Sequence, residues 1–311
     1  MAASARDVPQ ATGEQGAFRD KLVAEGLLVP SRIPGVTGQG PVFVDLRQRL
    51  DARISKLVAD EGAIAMEFPP VEPRHDMESV DYLSSFPQLA GSVFAFLGHE
   101  AEALELGEQA HAHQDWSGHL QSAGLVMVPA ACHPVYPALA RQPVPSDGIT
   151  IDTGAAWVFR HEPSDDPCRL VAFHMRELVR AGAPDSVGAW RDTWRDRALA
   201  FLQSLGLPAA FDEANDPFFG RTGKVLARSQ RAQKLKFEVL VPVGGDNPTA
   251  VASFNAHSDH FASVFGLVSE AGPVHTACLG FGIERCVLAL LFTHGTDVGG
   301  WPSDVLAELS L

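Results

Sequence analysis

The 311-residue chain is short of positive charge: 24 lysines and arginines stand against 38 acidic residues, a formal net charge of −14. A broad surface for tRNA or another nucleic acid neutralises phosphates with clustered Lys and Arg, so this balance argues against one. Cysteine is also scarce. The four present show no compact disulfide framework, which suits a reducing compartment and makes the cytoplasm the expected location. No run of about 18 apolar residues occurs, so no membrane-spanning helix is expected. The opening stretch MAASARDVPQATGEQG has no apolar segment and reads as a flexible tail over residues 1–16, not a signal peptide. Internal repeats and low-complexity tracts are missing too. With 46% hydrophobic and 20% charged residues, residues 17–311 can bury a large core as one elaborated domain.

The most informative stretch is 159–177, FRHEPSDDPCRLVAFHMRE. A polar loop separates Arg160 and Glu162 from a returning apolar strand. Side chains alternate along a strand, so Arg169, Phe173 and Glu177 are expected on one face, joined across an antiparallel pair by Arg160 and Glu162. Two cations, an aromatic plate and two carboxylates make a poor core and a good cradle for a nucleotide.

Those residues resemble motif 2 of the class II aminoacyl-tRNA synthetases in its seryl form. The run GFGIERCVLALL, with Gly280, Gly282 and Arg285, resembles motif 3 of the same class. A lone glycine pattern is weak; two motifs in the right order are strong. The resemblance implies an α+β fold, an antiparallel β-sheet flanked by helices. Upstream, Val42, Leu46, Leu50, Ile54, Leu57 and Val58 recur at helical spacing with Gly62 as a stop. AIAMEF then alternates as a strand before Pro69 and Pro70. Helix, strand and proline resemble motif 1, the dimer-interface element, and imply a homodimer.

Cys132 follows the short buried strand LVMVP, Glu177 ends the motif 2 strand and Cys278 precedes the motif 3 glycines. The trio resembles the Cys/Glu/Cys zinc site of methanogen-type seryl-tRNA synthetases, with a fourth tetrahedral position open to substrate. Cys168 and Cys286 fall outside it, and Cys286 reads as packing. His111, His113 and His119 read as solvated histidines.

Residues 184–206 form an amphipathic pattern through Val187, Trp190, Trp194, Ala198, Phe201, Leu202 and Leu205, opened by Pro184 and stopped by Gly206. The tryptophan stripe reads as core, and a helical insertion is expected over about 184–236. Arg221, Lys224, Arg228, Arg231, Lys234 and Lys236 follow with no acidic residue among them. This run reads either as a dock for an acidic partner or as a solvated face. FEVLVPV, 237–243, is a further buried strand. For Mg²⁺, Ser253 and Asn255 are candidates, but apolar residues near Val251 stand where the family has an acid; Glu238 or Asp259 would have to compensate.

By resemblance, Arg160 neutralises the α-phosphate of ATP, Arg285 holds the γ-phosphate and stacks near adenine opposite Phe173, Glu162 bonds in the adenine region and Arg169 contacts the triphosphate. Zinc on Cys132, Glu177 and Cys278 would bind an α-amine, leaving room for glycine, alanine or serine. Motif 1 begins near residue 41, with only a short stretch before it. A synthetase core without the tRNA-binding extension resembles the amino acid:[carrier protein] ligases, which pass an aminoacyl group from its adenylate to the phosphopantetheine thiol of a small acidic carrier protein. Two alternatives stay open: a minimal seryl-tRNA synthetase, and a non-catalytic synthetase paralogue serving as an amino-acid sensor.

Overall fold

The computed structural model describes residues 13–219, 230, 233–245 and 248–311. A helix begins at Gly13, inside the stretch expected as a tail, and runs to Ala24. Phe18 and Leu22, one turn apart, drive its inner face into the core. A hairpin of β1 (Leu28–Pro30) and β2 (Thr37–Gln39) leads into the helix Pro41–Leu57. Proline at its first position is preorganised for helix entry. Phe43, Leu46, Leu50 and Ile54 are buried, whereas Val42 is exposed. Four residues overshoot a 3.6-residue turn by about 40°, so the Leu46–Leu50–Ile54 series drifts round the helix until Phe43, not Val42, faces inward. Gly62 takes the left-handed conformation where a stop is expected.

The AIAMEF strand shortens to β3 (Ile64–Ala65), paired in parallel with Ile151 and Asp152. The prolines at 69 and 70 cannot extend that ladder. Next, β4 (Val71–Pro73), β5 (Ser92–Phe96) and β6 (Leu120–Met127) make a small sheet in the order β4-β6-β5. Between β5 and β6 the helix Glu100–His111 buries none of its residues. His111 and His113 are exposed and His119 half-buried; none belongs to the single metal-ligand cluster found among the described residues.

The main sheet has seven strands, in the order β3-β7-β8-β12-β11-β10-β9. Its members after β3 are β7 (Ile149–Phe159), β8 (Ala172–Gly182), β9 (Ala210–Glu213), β10 (Lys236–Pro242), β11 (Pro248–Ser258) and β12 (His275–Gly282). All pairs except β3 with β7 are antiparallel. The helix Pro184–Ser204 buries Val187, Trp194, Ala198, Phe201 and Leu202. Trp190 is half-buried and donates Nε1–H to Glu61 at 2.9 Å. The stretch 184–236 is therefore partly woven into the domain: its helix covers the sheet and β9 supplies an edge strand. The helix Ile283–His294 buries eight residues, Cys286 among them. With helices covering one face, the other is free to carry the polar residues of β8, β12, β11 and β10.

Arg176 ties β8 to the Pro41–Leu57 helix. Its Nη1 donates to Asp51 Oδ1 at 2.8 Å and Ser55 Oγ at 2.6 Å, and its Nη2 to Asp152 Oδ2 at 2.5 Å. Burial alone would lower its pKa, but the two carboxylates outweigh that and raise it. Arg176→Met is expected to destabilise the fold by about 3 kcal/mol, the low end for breaking a buried pair because Asp51 is partly exposed. Urea unfolding checks this; an unchanged midpoint would show that the triad contributes nothing.

Candidate active site

A cavity of about 910 Å³ opens on the polar face of the sheet. Its lining includes Arg160, Glu162, Arg169, Phe173, Glu177, Cys132, Cys278 and Arg285. Every expected site residue of the motifs thus borders one space, although they are drawn from positions 132 to 285 of the chain.

At one end lie Cys132, Glu177 and Cys278, all buried, with donor atoms within 4.8 Å of one another. Strand register accounts for two of them. Gly280 of β12 pairs with Glu177 of β8, and Cys278 lies two residues along, so both side chains share the cavity face. Cys132 comes from the turn after β6, and its backbone N–H donates to Glu177 Oε2 at 2.5 Å. Gly280 eases this packing: a Cβ there would sit 3.1 Å from Glu177 Oε1, and the carboxylate would have to shift by a few tenths of an ångström. The hydrogen bond with Cys278, burial and the Glu177 charge together hold the Cys132 thiol well above its ordinary pKa. For Cys278 the hydrogen bond with Cys132 acts downward, but burial and Glu177 prevail and raise it. Three crowded donors, each able to carry negative charge, are an arrangement that a bound cation would stabilise. Two sulfurs and a carboxylate fit zinc, with one tetrahedral position left open.

Beside the trio, Asn255 Nδ2 donates to Cys278 Sγ at 3.5 Å, and His257 Nε2 lies 3.7 Å from the same sulfur. Burial pulls the His257 pKa down to about 3, so its ring is neutral at physiological pH. The motifs do not mark His257. Its signal in the sequence was the alternation of Ser253, Asn255 and His257 on a strand.

Towards the other end, the Arg160 guanidinium lies 5.8 Å from the centre of the Phe173 ring, and its Nε donates to Pro129 O at 2.9 Å. Arg285 donates Nε–H to Cys168 O at 2.9 Å and Nη1–H to Ala250 O at 3.1 Å. These bonds orient it with neutral carbonyls, and burial lowers its pKa. Arg169 is not on the return strand as expected. β8 starts only at Ala172, and Asp166 turns the chain by accepting from Cys168 N at 2.8 Å. Arg169 sits half exposed in that turn, 3.3 Å from Glu162 and 3.8 Å from Asp166.

Lys236 does not belong to a surface basic run. Alternation along β10 turns it into the cavity, where its ammonium lies 2.5 Å from Asp216 and 3.1 Å from Glu238. Lys234 is exposed and pairs with Glu213 at 3.1 Å. Arg221, Lys224, Arg228 and Arg231 lie outside the described residues. Of the Mg²⁺ candidates, Ser253, Asn255 and Glu238 line the cavity. Asp259 is exposed, where its carboxylate accepts from Ser263 at 3.4 Å. It is not among the residues that line the cavity.

Burial pushes the Asp216 carboxyl up, but Lys236 and the Gln230 amide outweigh it and hold its pKa below the usual value. A depressed folded-state pKa contributes stability above the unfolded value, about 3.9, that is lost as pH falls through the folded one. Asp216→Asn should therefore be less stable than wild type at neutral pH, with the gap closing below about pH 4. Urea titrations at several pH values check this, and a gap independent of pH would rule out the ion pair as its cause.

No protein-family model matches the chain. Over 292 residues it is 44% identical to an "Amino acid--[acyl-carrier-protein] ligase 2" of Bradyrhizobium diazoefficiens, covering 93% of this chain and 87% of that protein. Over 280 residues it is 43% identical to ligase 1 of the same organism, covering 89% and 85%. Among solved structures, a seryl-tRNA synthetase of M. kandleri in complex with a tRNA superposes with a TM-score of 0.81 at 20% identity. The match covers 99% of this chain and 62% of the synthetase. The fold is that of the class II synthetases, as the motifs imply.

Proposed function

Because the chain belongs to the amino acid–[acyl-carrier-protein] ligases, we propose that it activates a small amino acid with ATP and passes the aminoacyl group to the phosphopantetheine thiol of a carrier protein. In the first step a carboxylate oxygen of the amino acid attacks the α-phosphorus of ATP and pyrophosphate leaves, giving an aminoacyl-adenylate. In the second, the thiol sulfur attacks the acyl carbon, AMP leaves and a thioester forms.

The observation that carries this reading is a buried Cys/Glu/Cys trio in one cavity with two arginines that have no carboxylate salt bridge among the described residues. Attack of one anion on another needs fixed positive charge where phosphate charge grows. Arg160 would meet the α-phosphate, and Arg285, oriented by two carbonyls, the γ-phosphate. Adenine would lie against Phe173, with Glu162 at its edge. Arg169, half exposed in its turn beside Glu162, would contact the triphosphate. Cys132, Glu177 and Cys278 would hold zinc, which would supply a Lewis-acid position for the neutral α-amine. Tyr136, His257 and Phe261 crowd that end, which favours glycine, alanine or serine. Mg²⁺ would enter with ATP, and Glu238 is the one of the two candidate carboxylates that lines the cavity. A homodimer through the Pro41–Leu57 helix and β3 belongs to the same reading, supported by exposed Val42 and Ile64. No described helix is long and apolar enough to cross a membrane.

The deciding experiment is amino-acid-dependent ATP–pyrophosphate exchange with zinc-loaded protein and glycine, alanine or serine. The labelled adenylate is then offered in parallel to a phosphopantetheinylated carrier protein and to total tRNA. Label on the carrier in a hydroxylamine-sensitive bond is expected. Label on tRNA instead would make the protein a minimal synthetase, and no exchange with any amino acid would leave the sensor.

A further inference from the structure

His257 stands on β11 two residues past Asn255, and alternation turns both side chains to the cavity. Its ring is fixed by its neighbours. Tyr136 and Phe261 stack on each other with centroids 3.8 Å apart, and the imidazole meets both edge-on, at 5.7 and 4.8 Å. Nδ1 lies 3.2 Å from Thr276 Oγ1 and 3.4 Å from the Tyr136 hydroxyl. Nε2 is left facing Cys278 Sγ at 3.7 Å, where Asn255 Nδ2 also converges.

Each imidazole nitrogen either donates an N–H or accepts, and the partners it faces decide which. Both hydroxyls at Nδ1 can donate. A thiolate can only accept. Once Cys278 is ionised, the proton therefore belongs on Nε2, with Nδ1 accepting from Thr276.

The geometry points to His257 as a positioning residue for the metal group: it donates Nε2–H to the Cys278 thiolate and, with Asn255, makes that sulfur a doubly hydrogen-bonded ligand. This rests on the reading of the Cys132–Glu177–Cys278 trio as a zinc site. The role is outer-shell: such donors fix a ligand's direction and favour its ionised form, and their loss costs about 10–100-fold in metal affinity. The cost here would fall on zinc retention before it fell on ATP.

The test is the zinc dissociation constant by competition with a chromophoric chelator, at one pH, for wild type, His257→Phe, His257→Gln and Thr276→Val. His257→Phe keeps the flat shape without a donor and is expected to weaken zinc by about 10-fold or more. His257→Gln, whose amide retains an N–H, should recover most of that loss. Thr276→Val, which leaves Nδ1 without its nearer hydroxyl, should weaken zinc by less than His257→Phe. Wild-type affinity in His257→Phe would overturn the inference, as would a Gln variant as weak as Phe. If His257→Phe fails to give a cooperative thermal melt, unchanged affinity in Thr276→Val overturns it instead. Wild-type protein that takes up no zinc in the first titration removes the reading of the trio itself, and the two failures are thereby distinguished.

Discussion

Arg160→Ala is expected to slow amino-acid-dependent ATP–pyrophosphate exchange by about 10²–10³-fold, the usual cost of removing one preorganised group that meets developing charge in a water-poor site. Among the described residues, the other cations that line the cavity are held elsewhere. Arg285 is held by the carbonyls of Cys168 and Ala250, Arg169 sits in the turn before β8, and the Lys236 ammonium is committed to Asp216 and Glu238. Among the described residues the one hydrogen bond of the Arg160 side chain goes to Pro129 O, so alanine leaves no buried carboxylate stranded and the fold should survive. Arg160→Lys keeps the charge but loses the planar fork and should restore only part of the rate. A thermal melt close to wild type together with lost exchange is the expected pair of results. Exchange within a few-fold of wild type in the alanine variant would remove Arg160 from the chemistry.

The second large effect is expected from zinc. Cys278→Ala removes one of three ligands, and zinc retention should fall by more than the about 100-fold that outer-shell changes reach. Because the metal would hold the amine and not the nucleotide, the KM for the amino acid should rise far more than the KM for ATP. Chelator-treated wild type should behave likewise and recover on adding zinc back, which the alanine variant should not. The checks are zinc per chain by atomic absorption and the two KM values. Full zinc in Cys278→Ala, or equal loss of both substrates, would break the assignment.

The two long motifs were legible because their information is local. Phe173 and Glu177 keep one face of the return strand by pleat parity, and GFGIERC places glycines where β12 passes close to Glu177 and then turns into a helix. The helix at Pro184 was legible for the same reason, since its apolar residues repeat at one period. Where local patterns were weak, the reading drifted. Val42 continues the i, i+4 series of Leu46, Leu50 and Ile54, whereas Phe43 stands three residues before Leu46, and the drift of the series round the helix turns Phe43 inward. Arg169 has the parity of Phe173, but Asp166 ends the regular strand geometry before it.

The sequence by itself determined the class of sheet and helices, the order of the motifs and the shortage of surface cations. Each depends on residues within a few positions of one another, where pleat and helical period act directly. Only the tertiary structure decided what meets what. Cys132 reaches Glu177 through a backbone N–H 45 residues away, His257 aims at Cys278 because Tyr136 and Phe261 pin its ring, and Lys236 leaves a basic run to sit between two buried-side carboxylates. Those contacts follow from strand register and from the low-dielectric cavity, where a charge must find a partner. Neither is written in the spacing of the residues along the chain.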